Sequence, residues 1–222
     1  EELTPTPAIN KTNFKYTGPS LNKENNLFVS VNTTVSSGQK NKILKWDVSK
    51  TYLLTDQAWG APLGKKCYIT DKVDKLKVVM VDGRKVENNK PIDLVVTEKI
   101  ADDQFAEGTY FTVVQEAIDL KTQNYFTAYN NLVQREGNIF ETPPGSLPTN
   151  FLCISDSTKL VTGFFYAVQQ DTARIYIDPS DVGSPARLCP VPPNEASDCP
   201  IPHCCNCLRT KGSSTSKPSF WR

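Results

Sequence analysis

A mainly β fold, built as an antiparallel sandwich, is what this chain predicts, and three observations predict it. Apolar and polar residues alternate in short runs across most of residues 9–117, the period of strands with one buried face. Clusters of turn-forming residues, such as Ser36-Ser37-Gly38 and Asp82-Gly83, separate those runs. A tryptophan, Trp46, falls on the third run, where immunoglobulin-like and fibronectin-like sandwiches place a core anchor.

Taken in order, residues 1–8 are acidic and proline-containing and read as a flexible lead-in. Residues 9–16 carry Ile9, Phe14 and Tyr16 as a first strand, and a polar loop follows at 19–26. The run 27–32 alternates cleanly, with Leu27, Val29 and Val31 on one face. Residues 43–54 form a long strand with Leu44, Trp46 and Val48 facing the core, and Cys67-Tyr68-Ile69 is a short apolar segment beyond a loop. Val78 to Val81 precede Asp82-Gly83, a pair suited to a tight hairpin turn. Residues 92–100 and 108–117 are two further strands.

The period then changes. Tyr125, Ala128, Tyr129, Leu132 and Val133 are spaced by three and four, which predicts an amphipathic helix over 119–136 with Asp119 as N-cap and Gly137 as stop. Its tyrosine stripe reads as core packing against the Trp46 sheet. The runs 160–168 and 173–178 are rich in aromatic and β-branched residues and predict a closing antiparallel pair, with polar residues 169–172 at its turn. Residues 9–178 are thereby one sandwich-like domain with the helix inserted.

The tail, 179–222, is dominated by proline, serine and cysteine and shows no periodicity. Such a segment has little apolar surface to bury, so covalent cross-links are its expected restraint. The disulfide candidates are Cys67, Cys153, Cys189, Cys199, Cys204, Cys205 and Cys207. The odd number leaves a thiol free or paired between chains, and the crowding favours an oxidising compartment. Connectivity stays open, except that vicinal Cys204 and Cys205 are poorly placed to bond to each other. Phe220 and Trp221 are expected to pack back on the domain and make the tail a strap.

Function classes narrow by exclusion. The chain has 25 basic and 24 acidic residues in 222, a net charge of +1, which supplies no electrostatic pull towards nucleic acid. No apolar run approaches the ~20 residues of a membrane-spanning helix, and without a signal peptide the sequence reads as a mature or trimmed form. His203, Cys204, Cys205 and Cys207, with Cys189 and Cys199 near, could hold zinc, but the only histidine and two adjacent cysteines suit one ion badly, and disulfides are preferred. A nucleophilic site would have to use His203 in that tail, where rigidity is lacking. Asp102-Asp103 and Glu1-Glu2 read as solvated acids. The expectation is no catalytic residue, no cofactor and no metal, so not an enzyme; an unrecognised hydrolase is the least favoured alternative.

Several separated stretches resemble one family. These are Gly137-Asn138-Ile139-Phe140 with Thr142-Pro143-Pro144, Ile43-Leu44-Lys45-Trp46-Asp47 with Tyr52 and Cys67, and the helix with Tyr125 and Tyr129. Gly163-Phe164-Phe165, Arg174-Ile175-Tyr176-Ile177, and Cys204 to Cys207 with Arg209, Gly212 and the terminal Lys-Pro-x-Phe-Trp complete the set. Together they resemble the DUF4249 family of Bacteroidetes cell-envelope lipoproteins, whose usual N-terminal β-domain behind a lipid-modified cysteine has no counterpart in this sequence. The resemblance implies an outer-membrane-anchored binding or accessory module beside a TonB-dependent receptor, touching the membrane only through an N-terminal lipid, in nutrient capture or uptake. A structural or adhesive surface sandwich is the alternative. For that phylum, Asp171-Thr172-Ala173 and Asp156-Ser157-Thr158 resemble O-glycosylation acceptors, with Thr172 expected at a hairpin tip and Ser157 as the second site.

Overall fold

The computed structural model describes residues 3, 5–18, 25–57, 64–73, 76–134, 147–156, 158–189 and 201–222. Its main elements, in chain order, are β1 (Ile9–Thr17), β2 (Asn26–Thr34), β3 (Ile43–Thr55), β4 (Lys66–Lys72), β5 (Val79–Asp82), β6 (Pro91–Ile100), β7 (Thr109–Ile118), α1 (Leu120–Val133), β8 (Gln170–Ile177) and β9 (Ser213–Ser214). Strands β1-β2-β6 make one sheet, and β8-β7-β3-β4-β9 make the other, with β5 added on β3. Lettered as a sandwich, that order is A-B-E against G-F-C-C′, an immunoglobulin-like arrangement in which the strand after C joins the C sheet.

The core forms because the inward faces of both sheets carry the apolar half of each alternation. On β2, Leu27, Val29 and Val31 are buried. They meet Ile92 and Val96 of β6 and, from the second sheet, Leu44, Trp46, Phe111 and Val113. Trp46 is 2% exposed, and Val48 is partly buried against the same cluster. Trp46 faces Gln115 across the β3–β7 pair and donates its indole N–H to Gln115 Oε1 at 2.8 Å. The Gln115 amide in turn donates to Pro7 O at 2.7 Å and to Thr33 Oγ1 at 3.1 Å. A buried glutamine is thus fully occupied, and it links the second sheet to β2 of the first.

Four sequence expectations are corrected. Asp82-Gly83 is not a hairpin turn: β5 pairs with the Ile43–Trp46 half of β3, and Gly83 opens a short 3₁₀ turn that leads to β6 in the other sheet. Residues 161–169 carry no strand, and β8 starts at Gln170, inside the expected turn. The reason is competition. Phe164 and Tyr166 turn their rings to the helix, while the polar Gln170 and Asp171 are drawn into pairing, Asp171 Oδ2 accepting from Ile9 N at 2.6 Å. Thr172 therefore lies within β8 opposite Val114, exposed but not at a tip. The helix does cap on Asp119, whose side chain accepts from Thr122 N at 2.8 Å, but Thr122 is its only buried residue. Tyr125, Tyr129 and Leu132 are half-buried rather than core. Gly137 and the 138–146 stretch lie outside the described residues.

The tail wraps around the β4 edge. Alternation puts Cys67 and Ile69 of β4 on its inner face with Tyr52 and Leu54, while Tyr68 points outward. Cys207 bonds to Cys67 and Cys189 to Cys204, closing separations of 140 and 15 residues. The four cysteines fill a second apolar cluster with Tyr52, Leu54 and Ile69. Asp56, buried, accepts from Lys65 N at 2.6 Å and Cys207 N at 3.1 Å. The chain then runs antiparallel to β4 as β9, covering an edge that would otherwise be open. On the outer face, Trp221 packs on Tyr68 and Tyr110, each at 5.1 Å between ring centroids, and Phe220 on Tyr110 at 5.3 Å. The Arg174 guanidinium covers Phe220 at 4.6 Å. Cys205 is also disulfide-bonded, and Cys199 lies outside the described residues.

The 140-residue closure predicts a large effect on stability. Replacing Cys67 and Cys207 together by serine lowers unfolding free energy by about 4 kcal/mol, since the constraint on the unfolded chain grows with loop length. Thermal denaturation without reductant checks it; a change within ~0.5 kcal/mol would show that the bridge does not restrain the unfolded chain.

Candidate functional site

The outward face of the larger sheet carries a charge where a sandwich would leave a solvated polar residue. Lys45 on β3 and Glu116 on β7 stand in direct register, and both are buried, at 3% and 4% exposure. Lys45 Nζ donates to Glu116 Oε2 at 2.9 Å and also to Asp47. Gln170 of β8 is next in the row and donates to Glu116 Oε1 at 2.7 Å, while the Tyr166 hydroxyl donates to Oε2 at 3.1 Å. Both carboxylate oxygens are thereby satisfied, which is the condition for keeping such a charge out of water. Burial pulls the Lys45 ammonium down, but its hydrogen bonds to Asp47 and Glu116 outweigh that and hold its pKa above the usual lysine range. Burial pushes the Tyr166 phenol up, against the pull of Lys45.

What keeps water off this pair is α1. The spacing of Tyr125, Phe126 and Tyr129 puts the three rings along one side of the helix, and that side faces the sheet. Lys45 Nζ lies 5.1 Å from the Phe126 ring centre and 5.9 Å from that of Tyr166, within cation–π reach. At its N-terminal half the helix is pinned by ring contacts, Tyr125 stacking on Phe164 at 5.0 Å and Phe126 meeting Tyr166 edge-on at 5.6 Å. At its C-terminal half Asn130 clamps Val78, accepting from its N at 2.9 Å and donating to its O at 2.7 Å. Between helix and sheet a recess of about 280 Å³ remains, with Lys45 and Asp47 at its floor, Tyr125, Phe126 and Tyr129 as a wall, and Lys72 and Lys77 at its rim. A larger hollow of about 470 Å³ opens on the other side of Tyr166, among Lys40, Asn41, Lys121, Asn150 and Phe165. Neither Lys45 nor Glu116 lines it, so the smaller recess is the one built over a buried charge.

A second buried lysine behaves differently. Lys50 lies 5.4 Å from the ring centres of both Tyr52 and Phe105 and donates to the neutral amide oxygen of Gln104. Burial lowers its pKa, more than Asp102 and Asp71 raise it. Burial, aided by Asp71, Asp102 and Asp103, pushes the Tyr52 phenol up to about 12.

The cysteines named from sequence are brought together only in part. Cys67, Cys189, Cys204 and Cys207 meet in one cluster, while Cys153 is free in the 147–156 stretch, its thiol held below the usual range by a hydrogen bond with Ser155. Cys189, His203 and Cys204 bring ligand atoms within 4.8 Å of one another, but the two sulfurs share a disulfide and offer no thiolate. Ser157 lies outside the described residues. Sequence reading missed Lys45, Asp47, Glu116, Lys72 and Lys77 as a group. Their union depends on cross-strand register, which alternation alone does not encode; a lysine two residues before an aspartate on a strand already rich in apolar positions was the one available signal.

The model of a family described as "Domain of unknown function (DUF4249)" matches residues 1–174. No curated protein and no solved structure matches.

Losing one partner of the buried pair should be costly. Lys45→Met leaves Glu116 charged and short of a donor, and a loss of about 3 kcal/mol is expected. Asp47→Asn, at a carboxylate 46% exposed, costs less than about 1 kcal/mol. Because the folded pKa of Lys45 is raised, its contribution is fully present below the free-lysine value of about 10.4 and is lost only as pH climbs through the higher folded value. Urea denaturation at neutral pH and at about pH 10 checks both, with the Lys45→Met deficit equal at the two pH values.

Proposed function

Since the chain belongs to the DUF4249 family, whose description assigns no activity, we propose from its own surface that it is a non-enzymatic cell-envelope module working with an outer-membrane TonB-dependent receptor in nutrient capture or uptake. One observation carries this reading. Phe151, Leu152, Ile154, Leu160 and Phe165 are all exposed within one stretch, Leu152 at 91% and Ile154 at 102%. Large apolar side chains gathered this way in water mark a surface that another protein covers. Asn150 is tied to Phe165, its side chain exchanging two hydrogen bonds with the Phe165 backbone, at 2.6 and 2.9 Å.

Two further features agree. The bridges Cys67–Cys207 and Cys189–Cys204 suit an oxidising compartment such as the envelope, and a lipid anchor ahead of Glu1 would hold the module at the outer membrane. Lys45 itself is unsuited to be a catalytic base or nucleophile: two carboxylates keep it charged, the opposite of the deprotonated state such a lysine needs.

Affinity capture tests the reading. The tagged chain, incubated with detergent-solubilised Bacteroidetes outer membranes, is expected to retain a TonB-dependent receptor identified by mass spectrometry. The double variant Leu152→Asp with Ile154→Asp, at fully exposed positions, is expected to lose it without a change in thermal stability. Recovery of other surface proteins without a receptor would contradict the receptor role and favour an adhesive one.

A further inference from the structure

We infer that the recess between α1 and the outer sheet face is a binding site for a single acidic sugar residue, a hexose ring bearing a carboxylate or a sulfate. This deepens the proposed capture role and rests on it. The recess is preformed, because Asn130 locks one end of the helix to Val78 and the Tyr125–Phe164 stack locks the other. Its volume of about 280 Å³ lies at the lower edge of the ~300–1,000 Å³ of drug-sized ligand pockets. That room suits one ring.

The lining specifies the chemistry of that ring. Tyr125 and Phe126 are engaged with other rings, but Tyr129 has no ring partner among the described residues, so it offers a free platform beside the opening. An apolar ring face stacked there needs no hydrogen bonds in the plane of contact. Lys72 and Lys77 are exposed at the rim, and neither has an ion-pair partner among the described residues. Two cations over one opening favour a ligand anion. Asp47 separates a sugar from a plain aromatic anion. It presents a half-exposed carboxylate in the floor, of which Oδ2 is taken by Lys45, and Oδ1 accepts only from a ligand that donates. A hydroxylated ring with one anionic group satisfies the tyrosine platform, the lysines and Asp47 together. A benzoate-like anion leaves Asp47 facing negative charge with no donor.

Titration by ligand-observed NMR tests this with D-glucuronate, a sulfated glucose, neutral D-glucose and benzoate as probes. Glucuronate or the sulfated sugar is expected to bind at least about tenfold more tightly than glucose and benzoate, and the tighter of the two fixes the anion. Tyr129→Ala and Lys77→Glu should each weaken that binding about tenfold, while Lys121→Glu, in the neighbouring hollow, should not. Lys77 is exposed, so its variant keeps the test sound if Tyr129→Ala unfolds the helix. Absence of binding by both acidic sugars, benzoate binding as tightly as they do, or indifference to both variants would each overturn the inference. Receptor capture responds to Leu152 and Ile154 instead, so sugar binding can fail while receptor capture stands, and the reverse.

Discussion

Lys45 and Glu116 meet in register on adjacent strands, on the face of the sheet that points away from the sandwich core. A lone buried ion pair is a weak source of stability, because removing two charges from water offsets most of their attraction. This pair is kept only with a shell that satisfies both Glu116 oxygens, gives Lys45 a second acceptor and keeps water off the two charges. Gln170 closes one side of the row, Tyr166 caps Glu116, Asp47 takes a second Lys45 hydrogen, and Phe126 lays its ring against the ammonium. The placement of α1 and the diversion of residues 164–166 away from the sheet both follow from building that shell.

The larger sheet is consequently covered on its outer face at both ends, by unlike means. Over Lys45 the cover is a helix held by aromatic contacts and by Asn130. Over Tyr68 and Tyr110 it is the chain terminus, Phe220 and Trp221, delivered around the β4 edge by the Cys67–Cys207 bridge and β9. The terminal cover is dense and covalently guided, as suits a strap. The helical cover leaves space beneath it, and half-buried tyrosines beside exposed lysines turn that space into a recess with directional chemistry. Phe151, Leu152, Ile154 and Leu160 belong to neither cover, and their side chains are exposed.

Much of the sandwich was legible in the sequence because it depends on local period. β2 could be read from Leu27, Val29 and Val31, Trp46 as an anchor from its run, and the helix from its three-and-four spacing with Asp119 as cap. The terminal aromatics were legible too, being costly to leave in water. What could not be read depends on pairing at a distance. The 160–168 run has good strand composition, yet the Phe164 and Tyr166 rings pack against α1 and no ladder forms there, so tertiary contacts override propensity. The tyrosine stripe has core spacing, but spacing is silent on whether the surface opposite carries leucines or a lysine and a glutamate. Only the register of β3 against β7 reveals that.

Lys45 and Glu116 act as one unit on which the outer face is built, and a double-mutant cycle measures their coupling. Lys45→Met, Glu116→Gln and the double variant are compared with the parent by urea denaturation at neutral pH. The two positions are predicted to couple by more than about 1.5 kcal/mol, the double variant being far less destabilised than the sum of the singles. Additivity within ~0.5 kcal/mol would mean that the pair carries no shared energy, and the account of the helix as its shell would be contradicted.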